Sequence, residues 1–90
     1  MATVRFTDHL RSQTGGVIET QAAGSDVRSI LADLETRMPG LRSYLVDDQG
    51  ALRPHVNLFV DGEPVRDRAH LGDPVRNHAV VHILQALSGG

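Results

Sequence analysis

The chain has no cysteine, which excludes disulfides, thiolate metal sites and a cysteine nucleophile. If it handles sulfur, the sulfur sits somewhere other than on a thiol. Lysine is also absent, and all nine basic residues are Arg. No side-chain amine is therefore present to accept an acyl group, although codon usage in a GC-rich genome is the simpler source of an all-Arg composition. The formal net charge is -2, and the Arg residues are scattered among acids. Such a pattern lacks the basic stripe of a nucleic-acid-binding surface. No apolar run approaches the roughly 18 residues of a membrane span, and Met1-Ala2-Thr3-Val4-Arg5 has no signal-peptide pattern. Partners that are nucleic acid or membrane are not expected, and the expected location is cytoplasmic.

The chain has 90 residues, 40% of them hydrophobic and 22% charged. That is one small domain, burying about 60 to 65% of the surface its unfolded chain exposes. Val4 and Phe6 alternate with Thr3, Arg5 and Thr7, which predicts a half-buried strand. Ser12-Gln13-Thr14-Gly15-Gly16 is a cluster of turn formers, and Val17 to Gln21 resumes with β-branched residues, so the first 22 residues read as a hairpin. Gly24-Ser25 opens the main helix, with Ser25 as the expected cap and Asp26 at the positive end of the dipole. Val27, Ile30, Leu31, Leu34 and Met38 form one apolar stripe. Arg28, Asp33, Glu35 and Arg37 take the wet face. Pro39-Gly40 ends the helix.

Leu41, Tyr44 and Leu45 suit a short helical turn, and Asp47-Asp48-Gln49-Gly50 a turn between two extended pieces. Val56, Leu58 and Val60 alternate with His55, Asn57 and Phe59 ahead of an Asp61-Gly62 hairpin signal. Phe59 then falls on the face away from the apolar set, where it is expected to be exposed. Asp67 to His78 is a polar connecting loop with room for a helical turn. Ala79 to Leu84 is apolar on both faces, as a central strand is.

The five His residues are His9, His55, His70, His78 and His82. Along a strand, His78 and His82 would lie about 13 Å apart, too far to share one ion, so no metal site is expected. No Ser lies in a nucleophile-elbow pattern. Gly15-Gly16 lacks the neighbouring Lys of a phosphate loop and reads as turn chemistry.

The chain ends Leu87-Ser88-Gly89-Gly90. Gly tolerates backbone angles closed to other residues, so a Gly pair is slim enough for a narrow tunnel. The expected organisation is a domain over residues 1–84 and a flexible tail over 85–90. A hairpin, a crossover helix and a final buried strand parallel to the first make a β-grasp order. The fold class is therefore α+β: a single β-grasp, ubiquitin-like domain with a mixed sheet of about four or five strands on one main helix, carrying a flexible Gly-Gly tail.

On these residues the chain resembles the ubiquitin-like sulfur carriers of bacteria, which serve cysteine, molybdopterin and thiamine biosynthesis. The resemblance is carried by Thr14-Gly15-Gly16, by Ile30-Leu31-Ala32-Asp33-Leu34-Glu35, by the run from Arg53 to Arg66, and by Gly89-Gly90. It is greatest with the cysteine branch. Two departures stand out: Val75-Arg76-Asn77-His78 replaces the usual Asp-Gly-Asp turn, and Gln85-Ala86-Leu87-Ser88 replaces Pro and small residues.

The resemblance implies a carrier that is not an enzyme and holds no cofactor stably. An adenylating enzyme spends ATP to activate the Gly90 carboxylate, and a sulfur donor converts it to a thiocarboxylate. A sulfur-accepting synthase, pyridoxal-phosphate-dependent in the cysteine branch, then uses the sulfur, and a metallopeptidase frees the product. The free carrier is expected to be a monomer. Gly90 and Gly89 are the reactive terminus, Ser88 and Leu87 the tail contacts in the partner, and Phe59 a sheet-face contact. Two other readings stay open: a modifier joined through Gly90 to lysines of other proteins, and a non-catalytic β-grasp binding subunit.

Overall fold

The computed structural model describes residues 1–85. Strand β1, Ala2–Phe6, pairs antiparallel with β2, Glu19–Ala22, in the register Ala2 to Ala22 and Arg5 to Glu19. The expected hairpin is present. Its connection is not a plain loop, however: a 3-10 turn at Asp8–Leu10 runs into a short helix, α1, Arg11–Thr14. Leu10 is fully buried there, so the connection adds a core residue as well as reversing the chain. Gly15 and Gly16 follow with φ of 68° and 91°, values in the left-handed region that favours glycine.

The main helix, α2, spans Val27–Arg37. Val27, Ile30, Leu31 and Leu34 are buried at the spacing of one helical face, and Met38 closes the stripe. Its cap differs from expectation. Asp26, not Ser25, accepts the Ser29 amide, at 2.8 Å. The reason is tertiary: Asp26 bridges Pro74, and the Ser25 carbonyl accepts the Val75 amide at 2.9 Å. The segment before the helix is thereby extended. The same loop supplies the Asp73 carbonyl to Val27 N and the Leu71 carbonyl to Arg28 N. These bonds satisfy the first-turn amides that a helix cannot pair within itself.

Helix α3, Leu41–Leu45, forms where a helical turn is expected, and buries Leu41 and Leu45. Beyond it, Val46 bridges Leu52 around the turn containing Asp47 and Gly50. Strand β3, Val56–Val60, reverses at Asp61-Gly62 into β4, Glu63–Pro64. Residues 67–78 are a loop containing turns and no helix. Strand β5, Val80–Gln85, lies in the middle of a five-stranded sheet ordered β2-β1-β5-β3-β4. It is parallel to β1 and antiparallel to β3. The strand runs to Gln85, one residue past the expected domain boundary. The sheet and helices enclose the β-grasp core, in which Val4, Ile30, Leu34, Leu58, Val81 and Ile83 are almost completely buried.

The loops are held by carboxylates. Asp67 accepts the amides of His70 and Gly72, Glu35 those of Gly40 and Arg42, and Asp33 that of Ala23. These bonds stabilise the charged form and hold each carboxyl below its ordinary pKa. The main causes are the His70 amide for Asp67, the Gly40 amide for Glu35 and the Ala23 amide for Asp33. Ser29, through its side chain and then its amide, does the same for Asp26.

Folding thus lowers these pKa values, so the native chain binds fewer protons than the unfolded chain in acid. Their contribution is fully present above the unfolded carboxylate value of about 4 and is lost as the pH falls through the lower folded values. Urea titrations should show near-constant stability from neutral pH to about 5, then a decline, with Asp67→Asn flattening that decline. Asp26→Ala should cost about 1 kcal/mol at neutral pH; no loss at all would mean that the loop carbonyls suffice.

Candidate functional site

Two surfaces meet where β5 ends. The first is the face of the sheet away from the helices. There the registers align Glu19, Arg5, His82, Phe59 and Pro64 in one row across all five strands. Arg5 and Glu19 form an ion pair at 2.9 Å at one end of the row. Phe59, His82 and the neighbouring Leu84 and Val80 are half-buried. Phe59 is on the expected face, but it is not fully exposed. It sits directly between Pro64 and His82 on the adjoining strands, and such cross-strand neighbours cover part of a ring.

The second surface lies at the end of the sheet itself, where β5 stops beside the first residue of β3. Gln85 pairs with Val56, and the Tyr44 hydroxyl donates to Gln85 Oε1 at 2.6 Å. The Tyr44 ring meets His55 edge-on, with centroids 6.3 Å apart and planes at 83°. Beside them is a shallow recess of about 260 Å³ lined by Ser43, Tyr44, Arg53 and His55. Arg53 donates through Nε and one Nη to the Ser43 carbonyl, at 3.3 and 3.1 Å. Arg68 ties the start of β3 by donating to the carbonyls of Arg53 and Val56, at 2.7 and 2.8 Å.

Of the residues expected to act, the structure places Phe59 alone. Leu87, Ser88, Gly89 and Gly90 lie outside the described residues. No sequence pattern groups Tyr44, Arg53, His55 and Gln85. Forty-one positions separate Tyr44 from Gln85, and no local periodicity reports a contact across that distance.

Among the described residues, no group of three or more His, Cys, Asp or Glu is placed to hold a metal ion. His78, with φ of 70°, stands in an exposed turn, while His82 lies within β5. Also among the described residues, no helix is long and apolar enough to cross a membrane. What the geometry offers is a central strand paired on both edges, with a half-buried sheet face on one side and a cationic recess near Gln85.

Comparison with known proteins agrees along the whole length. The ThiS family model matches residues 4–90. The sulfur carrier protein CysO of Mycobacterium bovis is 33% identical over 90 residues, covering 98% of this chain and 97% of the relative. Among solved structures, a chain of the Amycolatopsis orientalis BexX/CysO complex superposes with a TM-score of 0.89 at 33% identity, covering 100% of both chains. Mycobacterium tuberculosis CysO superposes at 0.86 with 31% identity, covering 97% of this chain and 100% of that one.

The Tyr44 to Gln85 hydrogen bond is the strand's last side-chain tie among the described residues. Tyr44→Phe should lower stability by about 1 kcal/mol in urea unfolding and raise amide exchange at Gln85 more than at Val81. Equal protection of Gln85 in both proteins would show that backbone pairing with Val56 alone holds this end.

Proposed function

Because the chain belongs to the ThiS family and is a homologue of the sulfur carrier CysO, we propose that it carries sulfur as a thiocarboxylate on Gly90, for a pathway of the cysteine-forming type. The family is one of carriers and not of catalysts. The observation that carries this reading is the central placement of β5. The strand is held on both edges, and Gln85 is its last described residue. Five residues remain to Gly90, and an extended segment of that length spans up to about 18 Å. That reach is enough to enter a partner's active site while the domain stays outside.

The chemistry follows from a bare carboxylate. An oxygen of the Gly90 carboxylate attacks the α-phosphorus of ATP held by an adenylating enzyme, and pyrophosphate leaves. A sulfide-equivalent donor then attacks the acyl carbon. The C–O bond to AMP breaks, AMP leaves with the bonding electrons, and Gly90 is left as a thiocarboxylate. That group is a soft nucleophile and needs no base from its own chain. A pyridoxal-phosphate-dependent synthase is the proposed acceptor of the sulfur, and a metallopeptidase the enzyme that releases the product.

Gly89 and Gly90 supply passage and the reactive end. Leu87 and Ser88 are the proposed tail contacts in the partner's tunnel. Phe59 and the half-buried apolar residues around it form the docking face, since an aromatic at the centre of a flat strip is a common interface anchor.

Incubation with the cognate adenylating enzyme, ATP and sulfide should raise the intact mass by one oxygen-to-sulfur exchange, and deletion of Gly90 should abolish the change. Higher-mass adducts resistant to thiols would favour a protein modifier instead, and no adenylate under any condition would leave a binding subunit. In the same assay, Phe59→Asp should weaken use of the carrier about 10-fold or more, as loss of an interface anchor does, while the circular dichroism spectrum stays that of the native fold.

A further inference from the structure

The carboxylates of this chain are largely committed to backbone. Asp26, Asp33, Glu35, Asp47, Asp61, Asp67 and Asp73 each accept at least one main-chain amide. Among the described residues, ion pairs to Arg form only at Arg5, Arg11 and Arg37. Of nine Arg, this leaves Arg28, Arg42, Arg53, Arg66, Arg68 and Arg76 with no carboxylate partner there. Most of these are exposed, where water solvates a guanidinium well.

Arg53 differs from the exposed ones in being half-buried and held, as Arg68 is, and from Arg68 in lining a recess. Its guanidinium is fixed by two bonds to one carbonyl, so its orientation is set before anything binds. It lines the recess beside Gln85, at the end of the sheet from which the chain continues towards Gly90.

Among the described residues no acid forms an ion pair with it. Glu35 is turned to the amides of Gly40 and Arg42, and Asp47 to those of Gln49 and Ala51. Arg68 adds a second cation beside it, bound only to carbonyls among the described residues. Tyr44 and His55 flank Arg53 in the same shallow recess. An Arg already oriented loses less side-chain freedom when it forms a forked pair with a carboxylate.

We infer that the Ser43, Tyr44, Arg53 and His55 recess is the docking point for an Asp or Glu side chain of the adenylating enzyme, close to where the tail enters it. The contact is separate from the sheet face around Phe59. It would set the direction of the tail as well as affinity, because it lies at the root of the segment that must reach the active site. The inference rests on the activation reading above and adds the partner's chemistry at this one position.

The test is steady-state adenylation with wild-type carrier, Arg53→Glu, Arg53→Gln and Arg28→Glu. Arg28 is exposed on α2, and its replacement changes net charge by the same amount. Arg53→Glu should raise KM for the carrier about 10-fold or more, as removing one partner of a close interfacial pair does, with kcat and the KM for ATP within about twofold. Arg53→Gln keeps a donor for the Ser43 carbonyl; it should keep the native melting temperature and show an intermediate rise with a weaker dependence on salt. Arg28→Glu should leave the KM for the carrier nearly unchanged.

If Arg53→Gln and Arg53→Glu shift KM no more than Arg28→Glu while the wild type is adenylated, this inference is overturned and the activation reading stands. A rise confined to the KM for ATP would also overturn it, pointing to a nucleotide phosphate instead. A wild-type chain that is never adenylated overturns both.

Discussion

The parallel pairing of β1 with β5 is the constraint on which the rest of the structure depends. Thr3 opposite Val80 and Phe6 opposite Ile83 place the last described strand beside the first. A parallel neighbour cannot be reached by a tight turn, so a crossover must lie between them. Helix α2 lies within that crossover, and its apolar stripe covers the sheet where Val81 and Ile83 are fully buried. With β3 on the other edge, β5 has no free side. A strand held in this way is fixed along its whole described length, up to Gln85.

A second theme is the division of labour between charged side chains. Acids terminate and cap: Asp26 closes the start of α2, Glu35 its end, and Asp67 with Asp73 shapes the loop that feeds carbonyls to the helix. At Asp26, Glu35 and Asp67 these bonds depress the carboxylate pKa without burying the groups. Arginines, by contrast, point outward or bind carbonyls, and several have no acid beside them among the described residues. A chain with a net charge of -2 can therefore still present a locally cationic spot. Net charge reflects solubility and non-specific attraction; the local arrangement decides a contact.

Much of this was legible in the chain. The alternation of Val4 and Phe6, the stripe from Val27 to Met38 and the Asp61-Gly62 turn are local patterns, and each appears where expected because burial on one face imposes a period. Other details were not legible, among them the helical connection between β1 and β2. Ser25 and Asp26 are both good caps, and the choice between them was made by the loop at Leu71 to Val75, which draws Ser25 into extended pairing. Phe59 has the right parity for the open face, but its cover comes from strands distant in sequence.

By itself the sequence determined the fold class, the order of the main helix and strands, and the terminal Gly-Gly, because periodicity, turn chemistry and missing residue types act within a few positions of one another. Only the tertiary structure decided that β5 runs on to Gln85, that Tyr44 holds that end, and that Arg53 faces a recess with no acid in it. Those facts depend on residues far apart in the chain being brought within about 3 Å, the length of a hydrogen bond, and no local pattern encodes which distant partner a polar side chain will find.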